Sequence, residues 1–310
     1  VLNSLTGAVE LGLMYALMAL GVYITFRILD FPDLTVDASF TTGGAIAAVM
    51  IANGYQPWLS TLMAFVGGLA AGACTGLLHT KGRINGLLSG ILMMIALYSI
   101  NLRILGKPNV SLIGEETLFS SIASETLLYI IVLAIFVLVF KFLLDGFLHT
   151  DLGLSLRATG DNARMIRSFG ANTDRTKIVG ISLSNGLVAL SGALIAQDGG
   201  FADVNMGIGM IVIGLASVII GEAIIGHRTV LLATLAAVFG SIVYRIVIAL
   251  ALRADFLHLE TSDLKLITAI IVIVALVIPT IQRSVKQKKF ARKRSAELAA
   301  GAAARKGGRS

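Results

Sequence analysis

An all-α, polytopic bundle of membrane helices is the fold class this sequence predicts, on three observations. Hydrophobic residues make up 56% of the 310 positions and charged residues only 14%, whereas soluble domains carry many more charges. The mean hydropathy is +0.88, and the apolar residues gather into runs of about 20, the helical length that crosses a hydrocarbon core. The net charge of +7 is concentrated: the tail from Arg283, RSVKQKKFARKRSAELAAGAAARKGGR, holds most of the surplus. The single cysteine, Cys74, excludes an intramolecular disulfide framework and a thiolate metal cluster. The first apolar run lacks a basic leader and is long enough to span, so no cleavable signal peptide is expected.

On that ruler nine spans follow in order, at residues 5–26, 34–52, 58–78, 86–105, 126–144, 178–196, 209–225, 229–252 and 266–281. Several are rich in Gly and Ala, as in VGGLAAGACTG from Val66, which suits close approach of packed membrane helices. The second and seventh differ from the rest. Each follows a polar, helix-breaking entry, LDFPDLTVD and DGGFADVNMGIG, so broken or re-entrant helices are expected there. An internal echo joins the halves: Asp33-Leu-Thr-Val leads into GGAIAAVMI, and Asp203-Val-Asn-Met into IGLASVII. The two spans run in opposite expected directions, as an inverted repeat requires.

Orientation follows from basic residues near span ends. With the C-terminal tail cytoplasmic, nine spans place the N-terminus outside. The cytoplasmic connections then hold Arg27, Lys81, Arg83, Arg157, Arg164, Arg167, Arg175, Lys177 and Arg228. The outer ones hold Arg103, Lys107 and Arg253 beside Glu115, Glu116, Glu125, Asp255 and Glu260. Residues 1–282 therefore form the transmembrane domain, and 283–310 a basic tail that touches lipid headgroups rather than nucleic acid.

Residues 151–177, DLGLSLRATGDNARMIRSFGANTDRTK, are the longest strongly polar interruption. Asp161 is the expected N-cap of a short helix and Gly170 its C′ residue. Between them Ala163, Ile166, Phe169 and Gly170 share one side, while Arg164 and Arg167 share another at i, i+3. A helix this short is marginal alone, so a partner is expected to hold it. The competing reading is a solvated basic linker drawn to anionic lipid.

Catalysis finds no purchase. There is no GxxxxGK[ST] phosphate cradle and no HExxH, and all four histidines sit at or beyond span ends. The intramembrane polar groups say more, because an ionisable group in hydrocarbon is costly unless it meets a cavity or a partner. Thr35, Asp37, Thr41 and Thr42 near Pro32, with Asn101, Asn185 and Glu222, are the candidates to line a path. Against this, Asp37 and the threonines would satisfy backbone groups freed near Pro32, and Glu222 would pair with Arg228. Arg103 is expected to snorkel outward, and Glu10 to serve as a hydrogen-bond partner between helices.

The run GLSLRATGDNARMIRSFGANTDRTKIVGISLSNGLVALSGALIAQ, Gly153 to Gln197, resembles a pattern in permease subunits of bacterial ABC importers of the branched-chain amino acid and ribose permease superfamily. Arg157, Gly160, Asn162, Ala163, Arg167 and Gly170 match it, and in such permeases the stretch is the cytoplasmic coupling helix seated in a groove of the ATPase. ILDFPDLTVDASFTTGGA from Ile28 and LYSINLRILGKPNVSL from Leu97, supported by GMIVIGLASVIIGE from Gly209, are similar to permeases of a narrower group of amino acid importers, tryptophan- or tyrosine-type among them. The resemblance implies a second permease copy, identical or not, in a bacterial inner membrane, and a periplasmic or lipoprotein solute-binding protein. It also implies separate ATPase subunits that hold ATP and Mg, so this chain binds no cofactor and is no enzyme. The rival is a stand-alone secondary transporter or channel; a non-transporting membrane scaffold is a third reading.

Overall fold

The computed structural model describes residues 2–120, 125–226 and 228–252, together with 269, 270, 273, 274 and 277. Among them the chain is a helix bundle with one short two-stranded β-ribbon. Helix α1 (Leu2–Val22) runs into a six-residue π-helical turn, Tyr23–Ile28, and then into an irregular entry. α2 (Thr35–Ala52), α3 (Pro57–Thr80) and α4 (Gly86–Leu105) follow. Pro57 opens α3 at a position where the missing N–H costs nothing. Asn85 caps α4 by accepting the Leu87 N–H at 3.0 Å, and Gly106 ends it at φ 68°.

After β1 (Asn109–Ser111) come α5 (Thr126–His149), α6 (Asp151–Ser168) and α7 (Thr173–Gly199). β2 (Phe201–Asp203), α8 (Met210–Ile225) and α9 (Val230–Leu252) complete the order. β1 and β2 pair antiparallel, Val110 opposite Ala202, and are the one departure from all-α structure among the described residues.

Seven of these helices are long and apolar enough to cross a membrane. α8, at 16 residues, falls short of that length. The first eight predicted spans thus each meet a helix. The ninth, at 266–281, lies largely outside the described residues, as does the tail.

α7 is the centre of the bundle, buried between α1, α2 and α3. Small residues make this possible: a Cβ on Gly43 would sit 1.8 Å from the Ala189 carbonyl oxygen, and one on Gly192 would sit 2.0 Å from that of Phe40. The α2 and α7 backbones therefore touch at the separation that small-residue interfaces allow. α4 and α5 lie at the periphery and turn apolar faces outward, with Ile95 and Leu143 exposed. The π-helical turn, the α3–α4 connection and α6 gather at one end. The β1–β2 ribbon marks the other.

The two polar entries are built alike. Asp33 accepts the Thr35 N–H at 2.9 Å, and Asp203 accepts the Asn205 N–H at 2.8 Å, the same Asx turn in each half. The echo read in the sequence is thus a shared local structure. From the β-ribbon end, residues 204–209 dip into the bundle, where a Cβ on Gly207 would meet the Asp37 carbonyl at 1.8 Å. α8 therefore starts inside the bundle.

Candidate translocation and coupling sites

Asp37 stands where the broken helices meet. Its Oδ2 accepts the Gly209 N–H at 2.8 Å and its Oδ1 the Ile211 N–H at 2.7 Å, so a first-turn residue of α2 caps α8. The Thr41 hydroxyl accepts the Gly207 N–H at 3.1 Å. Both residues do satisfy freed backbone groups, but those of the 204–209 entry rather than those near Pro32. A carboxylate is apt here, because helix N–H groups inside a membrane have no water to turn to.

The other polar candidates form a buried lattice between α2, α3, α4 and α7. Asn185 donates to Asp33 Oδ2 at 2.7 Å and accepts from the Ser39 hydroxyl at 2.7 Å. Thr35 and Thr75 share a hydrogen bond of 2.9 Å. The Thr42 hydroxyl lies 2.8 Å from Asn101 Oδ1, and Asn101 donates to the Ala38 carbonyl at 3.1 Å. Thr35, Thr42, Asn101 and Asn185 are buried and tied to polar side chains of neighbouring helices, to Asp33 or to backbone, which locks helix register. Asp33 was not singled out from the sequence, yet it is fully buried at the lattice's edge. Desolvation raises its carboxyl pKa above the usual range against the lowering effect of Thr35 and Asn185.

Glu222 takes a different partner from the one expected. It pairs with Arg27 of the π-helical turn, not Arg228: Arg27 Nε donates to Oε1 at 2.8 Å, and Nη2 meets Oε2. The bidentate pair ties the end of α1 to α8. Because Arg27 is substantially exposed, the pair adds little stability. Its expected effect is on geometry. Exchanging the charges in Arg27→Glu/Glu222→Arg should recover transport that either single change reduces, measured as solute uptake; equal loss in the double variant would rule the pair out.

α6 is two segments. Asn162, at φ −157° and ψ 87°, breaks the helix, and its side chain accepts the Met165 N–H at 3.1 Å. The cap of the short second segment is therefore Asn162, one residue after the expected Asp161, which closes the first segment and is exposed. Gly170 ends it as predicted, at φ 86°. The Ala171 N–H reaches the Ile166 carbonyl at 3.3 Å and the Gly170 N–H that of Arg167 at 3.0 Å, a Schellman closure.

The first segment docks on the bundle: Leu156 is buried, and a Cβ on Gly160 would sit 1.7 Å from the Ile28 carbonyl. Gly160 is glycine because the π-helical turn leaves it no room. Arg157, Ala163 and Ile166 are half-buried. Arg164, Arg167, Met165 (52% exposed) and Phe169 (76% exposed) face outward. The free surface of this segment is thus mixed, two cations beside two large apolar side chains.

Sequence reasoning passed over three ionisable groups inside the spans. Lys141 (1% exposed) and Asp145 form a buried ion pair at 2.5 Å within α5, and the Thr234 hydroxyl of α9 donates to Asp145 at 2.6 Å. Their i, i+4 spacing in KFLLD was the available signal. Arg245 of α9 lies over the Tyr15 ring, 3.8 Å from its centroid. Glu10 lines a polar cavity of about 350 Å³ near the β-ribbon end with Asp198 and Tyr129, whose hydroxyl donates to Asp198 at 2.6 Å.

Residues 4–278 match the model of the family described as branched-chain amino acid transport system/permease component. The chain belongs to this family. The permease is 47% identical over 276 residues to the tyrosine transport system permease protein of Clostridioides difficile (strain R20291), covering 89% of this chain and 91% of that protein. It is 36% identical over 189 residues to the uncharacterized protein RP368 of Rickettsia prowazekii (strain Madrid E), covering 61% and 66%. Against the ribose import permease protein RbsC of Escherichia coli (strain K12), identity is 27% over 196 residues, 61% of this chain and 59% of that one. No solved structure matches. A transport permease rather than an enzyme, it is a multi-pass membrane protein, and the outward apolar faces of α4 and α5 meet lipid.

Proposed function

We propose that the permease carries an amino acid, of the aromatic class that includes tyrosine, into a bacterial cell across its inner membrane. The similarity to the tyrosine transport permease along nearly the whole of both chains carries this reading. An extracytoplasmic binding protein delivers the solute, a second permease copy completes the path, and separate ABC ATPase subunits hold ATP and Mg. The chain is oriented with its β-ribbon end outside and α6 in the cytoplasm, in line with the many cations at the α6 end. Purified permease, ATPase and binding protein reconstituted in liposomes should accumulate labelled L-tyrosine only with ATP on the ATPase side. Failure with tyrosine and with a mixture of labelled amino acids would overturn the substrate reading.

In this scheme the capped segment after Asn162 docks on the ATPase through Arg164, Met165, Arg167 and Phe169, and Gly160 passes its movement to the π-helical turn. Gly160→Pro or Arg167→Glu should then abolish binding-protein-stimulated ATP hydrolysis while the protein still inserts. Normal stimulation in both variants would end the coupling assignment. The buried Lys141–Asp145 pair favours one rival, an ion-coupled carrier working alone. That reading expects uptake by the permease without ATPase under a proton or sodium gradient.

A further inference from the structure

Most of the basic side chains set in the described spans are accounted for. Arg27 has Glu222 and Lys141 has Asp145. Arg103 is exposed near the β-ribbon end, and Arg175 and Lys177 lie in the first turns of α7. Arg245 fits neither pattern. It stands two-thirds of the way along α9, a helix packed on α1 and α8, and no described acidic group pairs with it. Its Nε is shielded and finds no acceptor, while the residue as a whole is only half-buried.

The contact it does make is of a particular kind. The guanidinium lies on the face of Tyr15, whose ring stacks in turn on Phe40 at 5.9 Å and 3° between planes. A ring face attracts the cation but accepts none of its in-plane N–H donors. Those donors form the fork that matches a carboxylate, and in a membrane they have no water to fall back on. Phe40 sits one turn after Asp37, so the stack stands beside the point where α8 begins inside the bundle. Broken helices of that kind are where solute sites in inverted-repeat transporters lie.

We infer that Arg245 is a solute contact, receiving the carboxylate of the amino acid in transit while Tyr15 holds the guanidinium in place. The inference rests on the amino acid reading above. A fixed acidic partner would neutralise the cation permanently; a mobile anion does so only while it passes.

The test measures labelled L-tyrosine uptake and ATP hydrolysis in the same proteoliposomes, holding permease, ATPase and binding protein. Arg245→Gln should lower tyrosine moved per ATP about ten- to a hundredfold, the factor carried by one charge-assisted contact. Binding-protein-stimulated hydrolysis and melting temperature should stay near wild type. Arg245→Lys, which keeps the charge and loses the fork, should restore part of the uptake. Wild-type uptake per ATP in Arg245→Gln would overturn the proposal. So would parallel loss of hydrolysis and melting temperature with no rescue by lysine, which marks a packing residue. A wild-type permease that imports no amino acid would instead overturn the substrate reading, and this inference with it.

Discussion

Asp145→Ala should destabilise the permease by about 3–5 kcal/mol, because it strands the Lys141 ammonium in the bundle without its counter-charge. The effect is large because of what remains, not because of what is lost. Lys141 is buried within α5, and its one other described contact is the Phe142 ring at 4.5 Å. Lys141→Met/Asp145→Leu removes both charges and keeps the volume, so it should recover most of the melting temperature in detergent. A double variant as unstable as the single one would mean that the pair contributes specific structure, through Thr234, beyond its charge balance. Transport by the stable double variant would also dismiss the carrier reading that this ion pair favours.

Asp37→Ala should cost about 2–6 kcal/mol, taking about 1–3 for each backbone donor left unmet, here Gly209 and Ile211. Asp37→Asn keeps one acceptor and loses the charge, so about half that cost is expected. Melting temperature orders the three proteins, and uptake should fall in the same order if the start of α8 shapes the path. An alanine variant with wild-type stability would show that the α8 N-terminus has another partner. The threonine that joins this cap, Thr41, accepts a single N–H, that of Gly207, so its loss should cost less.

The two halves of the problem differed in legibility for a physical reason. α3, α4, α5 and α7 each announce themselves as an apolar run, because crossing hydrocarbon is a demand that each helix meets with its own residues. The C′ role of Gly170 is equally local, and it stands where the sequence placed it. The cap slipped by a single residue because Asp161 and Asn162 are both good caps, and only backbone geometry selects between them.

Pairings across the chain are another matter. Glu222 finds Arg27 at a separation of 195 residues and Asp37 finds the α8 N-terminus at 172 and 174, so nothing in the local sequence names the partner. The path candidates Thr35, Thr42, Asn101 and Asn185 were legible as polar residues in apolar helices. Which side chains of neighbouring helices they bond to was not. Lys141 and Asp145 were open to view at i, i+4, but a hydropathy reading averages such a pair away inside the most apolar of the long helices.

The dependence of α8 on Asp37 has a consequence for how the polypeptide is made. A 16-residue helix whose leading N–H groups need a carboxylate from α2 is not a self-sufficient insertion unit. Residues 204–225 are therefore expected to become compatible with hydrocarbon only after α2 is seated and the pairing of β2 with β1 has brought the entry back to it. The expected order of topogenesis is α8 last, threaded into a frame that the first half has already built.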